Sequence, residues 1–131
     1  MKPVQLTVLT PQATVFDEPV DAVVMPLADG WLGVLPGHAA FQARVMRGEI
    51  LFRVAGKERM LATLGGAVAV DGGTVTVLTG VAALDRDLET LEREISEDAQ
   101  RLAGLEQEAE KHFNRVYRQM ARTFNHRRRH A

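Results

Sequence analysis

From Val4 to about Val81 the apolar residues alternate with polar ones or come in short β-branched runs. QLTVL, ATVF, DAVVMPL, EILFRVA, RMLAT, AVAV and TVTVL all read as strands, because alternation puts successive side chains on opposite faces. Turn signals separate them at Asp17-Glu18-Pro19, at Gly56-Lys57 and at Asp71-Gly72-Gly73. The last is the clearest hairpin, since its glycines can take the positive φ that tight β-turns need. Many short strands at close spacing predict a sandwich or a flattened barrel.

The period changes near Leu84. Leu84, Leu88, Leu91, Ile95, Ala99 and Leu102 recur every three or four residues, which is one face of a helix. Asp85, Asp87 and Glu89 crowd its start, where the positive end of the helix dipole favours acids. Glu89–Arg93 and Glu97–Arg101 are spaced as i,i+4 ion pairs. Gly104 interrupts, and a second stripe follows at Ala109, Phe113, Val116, Met120 and Phe124. The stripe reads as shifted in phase across Gly104, which predicts two helices with a break or hinge at that glycine. The chain therefore divides into a β unit over 1–83 and a helical unit over 84–131.

Charge separates the two predicted helices. Residues 84–110 carry ten acids against three arginines, and residues 111–131 carry seven bases and no acid. An antiparallel hairpin would bring these arms together, and opening it would free the basic arm for another acidic surface. A segment with two such states is a candidate switch; a permanently docked hairpin is the simpler reading. The whole chain has a net charge of only −1, and the β half lacks a basic surface to support the Arg-rich end, so nucleic acid is not an expected partner. With 46% hydrophobic residues the chain should fold, and no apolar run is long enough to span a bilayer. The N-terminus reads as neither a signal nor a transit peptide, which points to a cytosol-like compartment.

Catalytic groups are not evident. The absence of cysteine excludes disulfides, thiolate metal sites and thiol catalysis. His38 and His112 have no ligand-spaced neighbour, and His126 and His130 sit around Arg127, Arg128 and Arg129, a poor place for a metal. There is no phosphate-binding glycine loop. No metal or cofactor is expected, and a structural or regulatory role is.

One loop stands out. DGWLGVLPGH, from Asp29 to His38, combines three glycines and a proline with apolar residues. As a crossover it would use Leu32, Val34 and Leu35 to plug the core. Trp31, beside Asp29 and Gly30 in a turn, would tend to be exposed, and an exposed aromatic on a rigid loop is suited to a protein contact.

DGWLGVLPGHAAFQARV resembles the G-x-L-G-[IV]-x-P-G-H-A-P-[FL] signature of the epsilon subunits of F-type ATP synthases. QLTVLTPQATVFDEPVDAVVMPLADG resembles that family's opening strands, and LGGAVAVDGGTVTVLTG its closing hairpin. The resemblance implies a mainly β fold with added α: a flattened β-sandwich of about ten strands followed by a C-terminal two-helix antiparallel hairpin. It implies a non-catalytic rotor subunit of the central stalk that docks on the gamma subunit and the c ring and couples ion translocation to ATP synthesis. Membrane contact would be indirect, through the c ring, on the cytoplasmic face of a bacterial inner membrane. Gly30, Gly33, Pro36 and Gly37 would shape the docking loop, with Trp31, His38 and Phe41 meeting the partner. The C-terminal helices would act as an arm that inhibits ATP hydrolysis, with Arg115, Arg118 and Arg122 facing the catalytic β subunits and Gly104 as hinge.

The chain also departs from the family pattern. Trp31 stands where an acid is frequent, and Ala40 where proline is usual. The family's ATP-binding motif, I/L-D-x-x-R-A, is matched only by Leu88-Glu89-Thr90-Leu91-Glu92-Arg93, with an acid in place of its cation, so ATP binding there is not expected. The rival reading is a β-barrel or coiled-coil adaptor with no role in ATP synthase. A lipoyl-type carrier would need a lysine in its tight hairpin, and Asp71-Gly72-Gly73 has none.

Overall fold

The computed structural model describes residues 3–129, with side chains described through Thr123. Phe124 and the histidine pair of the C-terminal tail therefore lie outside the described side chains. Ten strands come first: β1 Val4–Leu9, β2 Thr14–Val20, β3 Ala22–Leu27, β4 Gly30–Val34, β5 Phe41–Val45, β6 Gly48–Val54, β7 Lys57–Thr63, β8 Gly66–Asp71, β9 Thr74–Thr79 and β10 Ala82–Leu84. One helix follows, α1, Leu88–Arg129. Two compact units divide between Glu92 and Arg93.

The strands hydrogen-bond in the order β10-β7-β6-β3-β5-β8-β9-β1-β2, with β4 attached to β3. β1 lies parallel to β9, and the other pairs are antiparallel. The sheet curls into two layers. Phe16 on β2, at one end of the order, meets Phe52 on β6, near the other, with ring centroids 4.7 Å apart. Alternation fills the space between the layers: Val4, Leu6 and Val8 from β1, Val75 and Val77 from β9, and Ile50 and Leu61 from β6 and β7 are fully buried. Each such side chain contributes roughly 1.5–3 kcal/mol by leaving water. The buried hydroxyls close a ring. Gly65 N–H donates to Thr63 Oγ1 (3.1 Å), Thr63 O–H to Thr79 Oγ1 (2.7 Å), and Thr79 O–H to the Gly65 carbonyl (2.7 Å).

The expected hairpin at Gly72 and Gly73 is a two-residue turn with φ of 55° and 83°, which places both central residues in the left-handed region that matches strand twist. The turn read at Asp17-Glu18-Pro19 is instead continuous strand. β2 is an edge strand, so Pro19 removes no hydrogen bond that a second neighbour would need. The chain turns at Asp21 instead, between β2 and β3.

The two-helix expectation is corrected: α1 runs through Gly104 without a break. No phase shift is present, since Leu102 and Ala109 are seven residues, about two turns, apart. At about 100° per residue, Leu91, Ile95, Leu102, Leu105, Ala109, Phe113, Val116 and Met120 share one arc of about 80°. Gly104 lies on the opposite face, where a Cβ would meet nothing within 4 Å. Its cost of about 1 kcal/mol is too small to break a helix whose charge order suits the dipole, acids first and bases last. Leu84, read as the start of the helical stripe, belongs to β10 and pairs with Leu61. The ion pairing also differs, since Arg101 reaches Asp98 at 3.3 Å, an i,i+3 pair. Gly104→Ala is expected to stabilise α1 by about 1 kcal/mol; an unchanged helical signal and melting curve in circular dichroism would contradict that.

The first turn of α1 is tied to the sandwich. Asp87 Oδ1 accepts the Thr90 N–H at 2.7 Å, an N-cap, and Glu49 Oε1 from β6 accepts the Leu88 N–H at 3.1 Å. Leu91 is buried, and Arg47 pairs with Glu92 at 2.9 Å.

Candidate functional site

β4 is a hairpin partner of β3, with Leu27 opposite Gly30 and Pro26 opposite Trp31. Gly30 takes φ 123°, a conformation that side chains disfavour. Along β4, Leu32 and Val34 turn inward while Trp31 and Gly33 turn outward. Trp31 is 59% exposed, and among the described residues its side chain makes no hydrogen bond or ring contact. Gly33 is extended, and a Cβ there would sit 4.0 Å from Val24, so the backbone does not require glycine at this position.

Beyond β4 the chain makes a tight turn. The His38 N–H donates to the Leu35 carbonyl at 3.1 Å, with Pro36 and Gly37 between them and Gly37 at φ 86°. Proline first and a left-handed glycine second define a type II turn. This lifts Leu35 off the core: the residue expected to plug the interior is 61% exposed. The His38 ring lies edge-on to Phe41 with centroids 5.1 Å apart, and its Nδ1 donates to the Ala39 carbonyl at 2.7 Å. A carbonyl can only accept, so Nδ1 carries a proton. Phe41 packs half-buried against the core. The structure thus brings His38 and Phe41 together and sets Trp31 on the outer face of a separate hairpin.

Two further apolar surfaces went unread in the sequence. Across β5, β8, β9 and β1 the register aligns Arg44, Ala67, Leu78 and Leu9 on the outer face. Leu78 is 54% exposed between two shallow depressions lined by Ala67, Ala69, Thr76, Thr10 and Pro11. The signal was present: Val75 and Val77 point inward, so parity sends Leu78 outward. Across β4, β3, β6 and β7 the same argument aligns Gly33, Val24, Leu51 and Met60.

On α1, Arg115, Arg118 and Arg122 do share a face, joined by Lys111, and it lies opposite the apolar stripe. That stripe is exposed at Leu102, Leu105, Phe113, Val116 and Met120. It keeps step with 3.6 residues per turn, whereas a coiled-coil seam keeps step with 3.5, which goes against the coiled-coil adaptor reading. In the stretch that resembles the ATP motif, Leu91 is buried and Glu92 is engaged by Arg47.

Near the helix root, Arg59 donates from Nε and Nη2 to the two Asp85 oxygens at 3.2 and 2.8 Å. Its guanidinium stacks over Phe16 and Phe52, 5.8 and 5.7 Å from the ring centroids. The Arg59 hydrogen bonds hold the Asp85 carboxyl below the ordinary aspartate range. Among the described residues no group of three or more His, Asp or Glu could hold a metal, and no helix is long and apolar enough to cross a membrane.

Fold and surface together define a β-sandwich with a long C-terminal helix, exposing apolar side chains on tightly built turns and sheet faces. Residues 3–85 match the family model for the ATP synthase delta/epsilon chain β-sandwich domain. The chain belongs to the ATP synthase delta/epsilon family. It is similar to the ATP synthase epsilon chain of Symbiobacterium thermophilum, 36% identical over 70% of this chain and 66% of that one. It is also similar to the epsilon chain of Prochlorococcus marinus, 35% identical over 79% of each. Among solved structures it resembles a chain of the Euglena gracilis mitochondrial ATP synthase OSCP/F1/c-ring complex, with TM-score 0.62 and 25% identity over 74% of this chain and 64% of that one. A chain of the Tetrahymena thermophila mitochondrial ATP synthase central stalk and c-ring shares the fold, with TM-score 0.53 at 15% identity, over 60% of this chain and 64% of that one. The matched region thus spans about two thirds of several of these relatives.

Proposed function

We propose that this chain is a non-catalytic rotor subunit of an F-type ATP synthase, docking through its sandwich on the gamma subunit and the c ring and helping to couple ion translocation to ATP synthesis. The observation that carries the reading is the exposed apolar pair Trp31 and Leu35 on a glycine- and proline-built hairpin and turn, within a domain of this family. Exposed aromatics on a preorganised backbone lose little entropy on binding and make good anchors. The Leu78 face adds a second, flatter contact suited to another element of the same partner. The complex would sit on the cytoplasmic face of a bacterial inner membrane, with membrane contact indirect through the c ring. Co-purification with a gamma subunit tests the docking.

The arm adds regulation. An apolar stripe and a basic stripe on opposite faces of α1 call for two different surfaces at once, one apolar and one acidic. That supports a helix inserted against the catalytic β subunits, slowing hydrolysis, with Gly104 as the place where the arm could fold. Replacing Arg115, Arg118 and Arg122 together by alanine should raise the assembled complex's ATP hydrolysis about threefold or more, since a loss of under 1 kcal/mol in arm binding is enough. An unchanged rate would leave the arm with no inhibitory contact through these residues.

A further inference from the structure

We propose that Arg59 is the positioning residue of the arm, latching the root of α1 to the sandwich through Asp85. The latch is made from distant parts of the chain. Arg59 lies on β7 and Asp85 just past β10, 26 residues later. Both oxygens of Asp85 are taken by the guanidinium fork, at 3.2 and 2.8 Å. The Phe16 and Phe52 rings lie under that fork, their centroids 5.8 and 5.7 Å from its carbon. A forked contact fixes direction as well as distance, which a lysine ammonium cannot do.

Asp85 itself is held in an unusual state. Its φ is 57°, in the left-handed region, and its N–H donates to the Met60 carbonyl at 2.8 Å. A non-glycine residue stays there only when its surroundings insist. The left-handed residue sends the chain from the end of β10 into α1, and the next contacts follow at once: the Asp87 cap, the Glu49 carboxylate on the Leu88 N–H, buried Leu91, and Arg47 on Glu92. These contacts fix the helix root, from Asp85 to Glu92, within the first unit.

Hydrogen exchange of the full chain, read by mass spectrometry, tests this. In the wild type, amides of the root should exchange at least tenfold more slowly than those between Ile95 and Leu105. Arg59→Ala should speed the root amides about tenfold or more while leaving those of Ile50 and Val75 unchanged. Asp85→Gly removes the carboxylate and relaxes the φ, so it separates the latch from backbone strain, and it should match Arg59→Ala. Arg59→Lys, which keeps the charge and loses the fork, should fall between. Root amides that stay slow in both Arg59→Ala and Asp85→Gly would overturn the proposal, as would equal acceleration of core and root, which would reduce Arg59 to a general stabiliser. The exchange result does not depend on the inhibitory reading. Hydrolysis by the complex does, so a faster root with unchanged hydrolysis would uphold the latch and count against inhibition.

Discussion

Gly66→Ala is expected to destabilise the sandwich by at least about 3 kcal/mol, lowering its melting temperature by roughly 10 °C or more, with loss of soluble protein as the extreme outcome. Gly66 opens β8 opposite Thr79 on β9. A Cβ built there would come 2.0 Å from the Leu78 carbonyl oxygen and 3.0 Å from its carbon. Both obstacles are backbone, so no rotamer change can relieve them, and β9 would have to move away. β9 lies between β8 and β1 and supplies Val75 and Val77 to the core, so its displacement would spread. The contrast is Gly33→Ala, where the backbone is extended and the new methyl meets Val24 at an ordinary distance. That change should be neutral within about 0.5 kcal/mol or slightly stabilising. Thermal melts of the two variants against wild type decide the matter, and equal melting temperatures for Gly66→Ala and wild type would refute the steric argument.

Trp31→Ala with His38→Ala is expected to weaken binding to a gamma subunit by at least about 30-fold, the effect of losing about 2 kcal/mol at an interface anchor. Trp31 and His38 sit on separate turns, each stiffened by a left-handed glycine, so neither needs to reorganise on binding. Both side chains are exposed, so the variant should fold normally and the loss should appear in affinity alone. Titration by calorimetry or interferometry would read it. A stable pair untouched by the substitutions would move the contact elsewhere on the sandwich, with the Leu78 face as the next place to test. No pair with the wild type would count against the rotor reading itself.

Much of this protein was legible in its residue order. The switch from alternating to 3.6-residue spacing separates sandwich from helix, because period follows from the covalent geometry of strand and helix. Gly72 and Gly73, and Pro36 with Gly37, name their turns, because only such residues take those torsions cheaply. Both are local properties, readable within a few residues. The family signature was readable for the same reason, as a run of turn and apolar residues in fixed order.

Other features depended on neighbours distant in sequence. The parallel pairing of β1 with β9, the outward display of Leu35 and Leu78, and the meeting of Arg59 with Asp85 over Phe16 and Phe52 join segments whose spacing along the chain carries no mark of their contact. Gly104 shows the same limit. Its local cost suggests a break, yet whether a helix breaks depends on the stripe and charges of the turns around it, and here the stripe stays in step from Leu91 to Met120. Propensity sets what each short segment prefers at about 1 kcal/mol a residue; packing and pairing in space, summed over many residues, decide which preference holds.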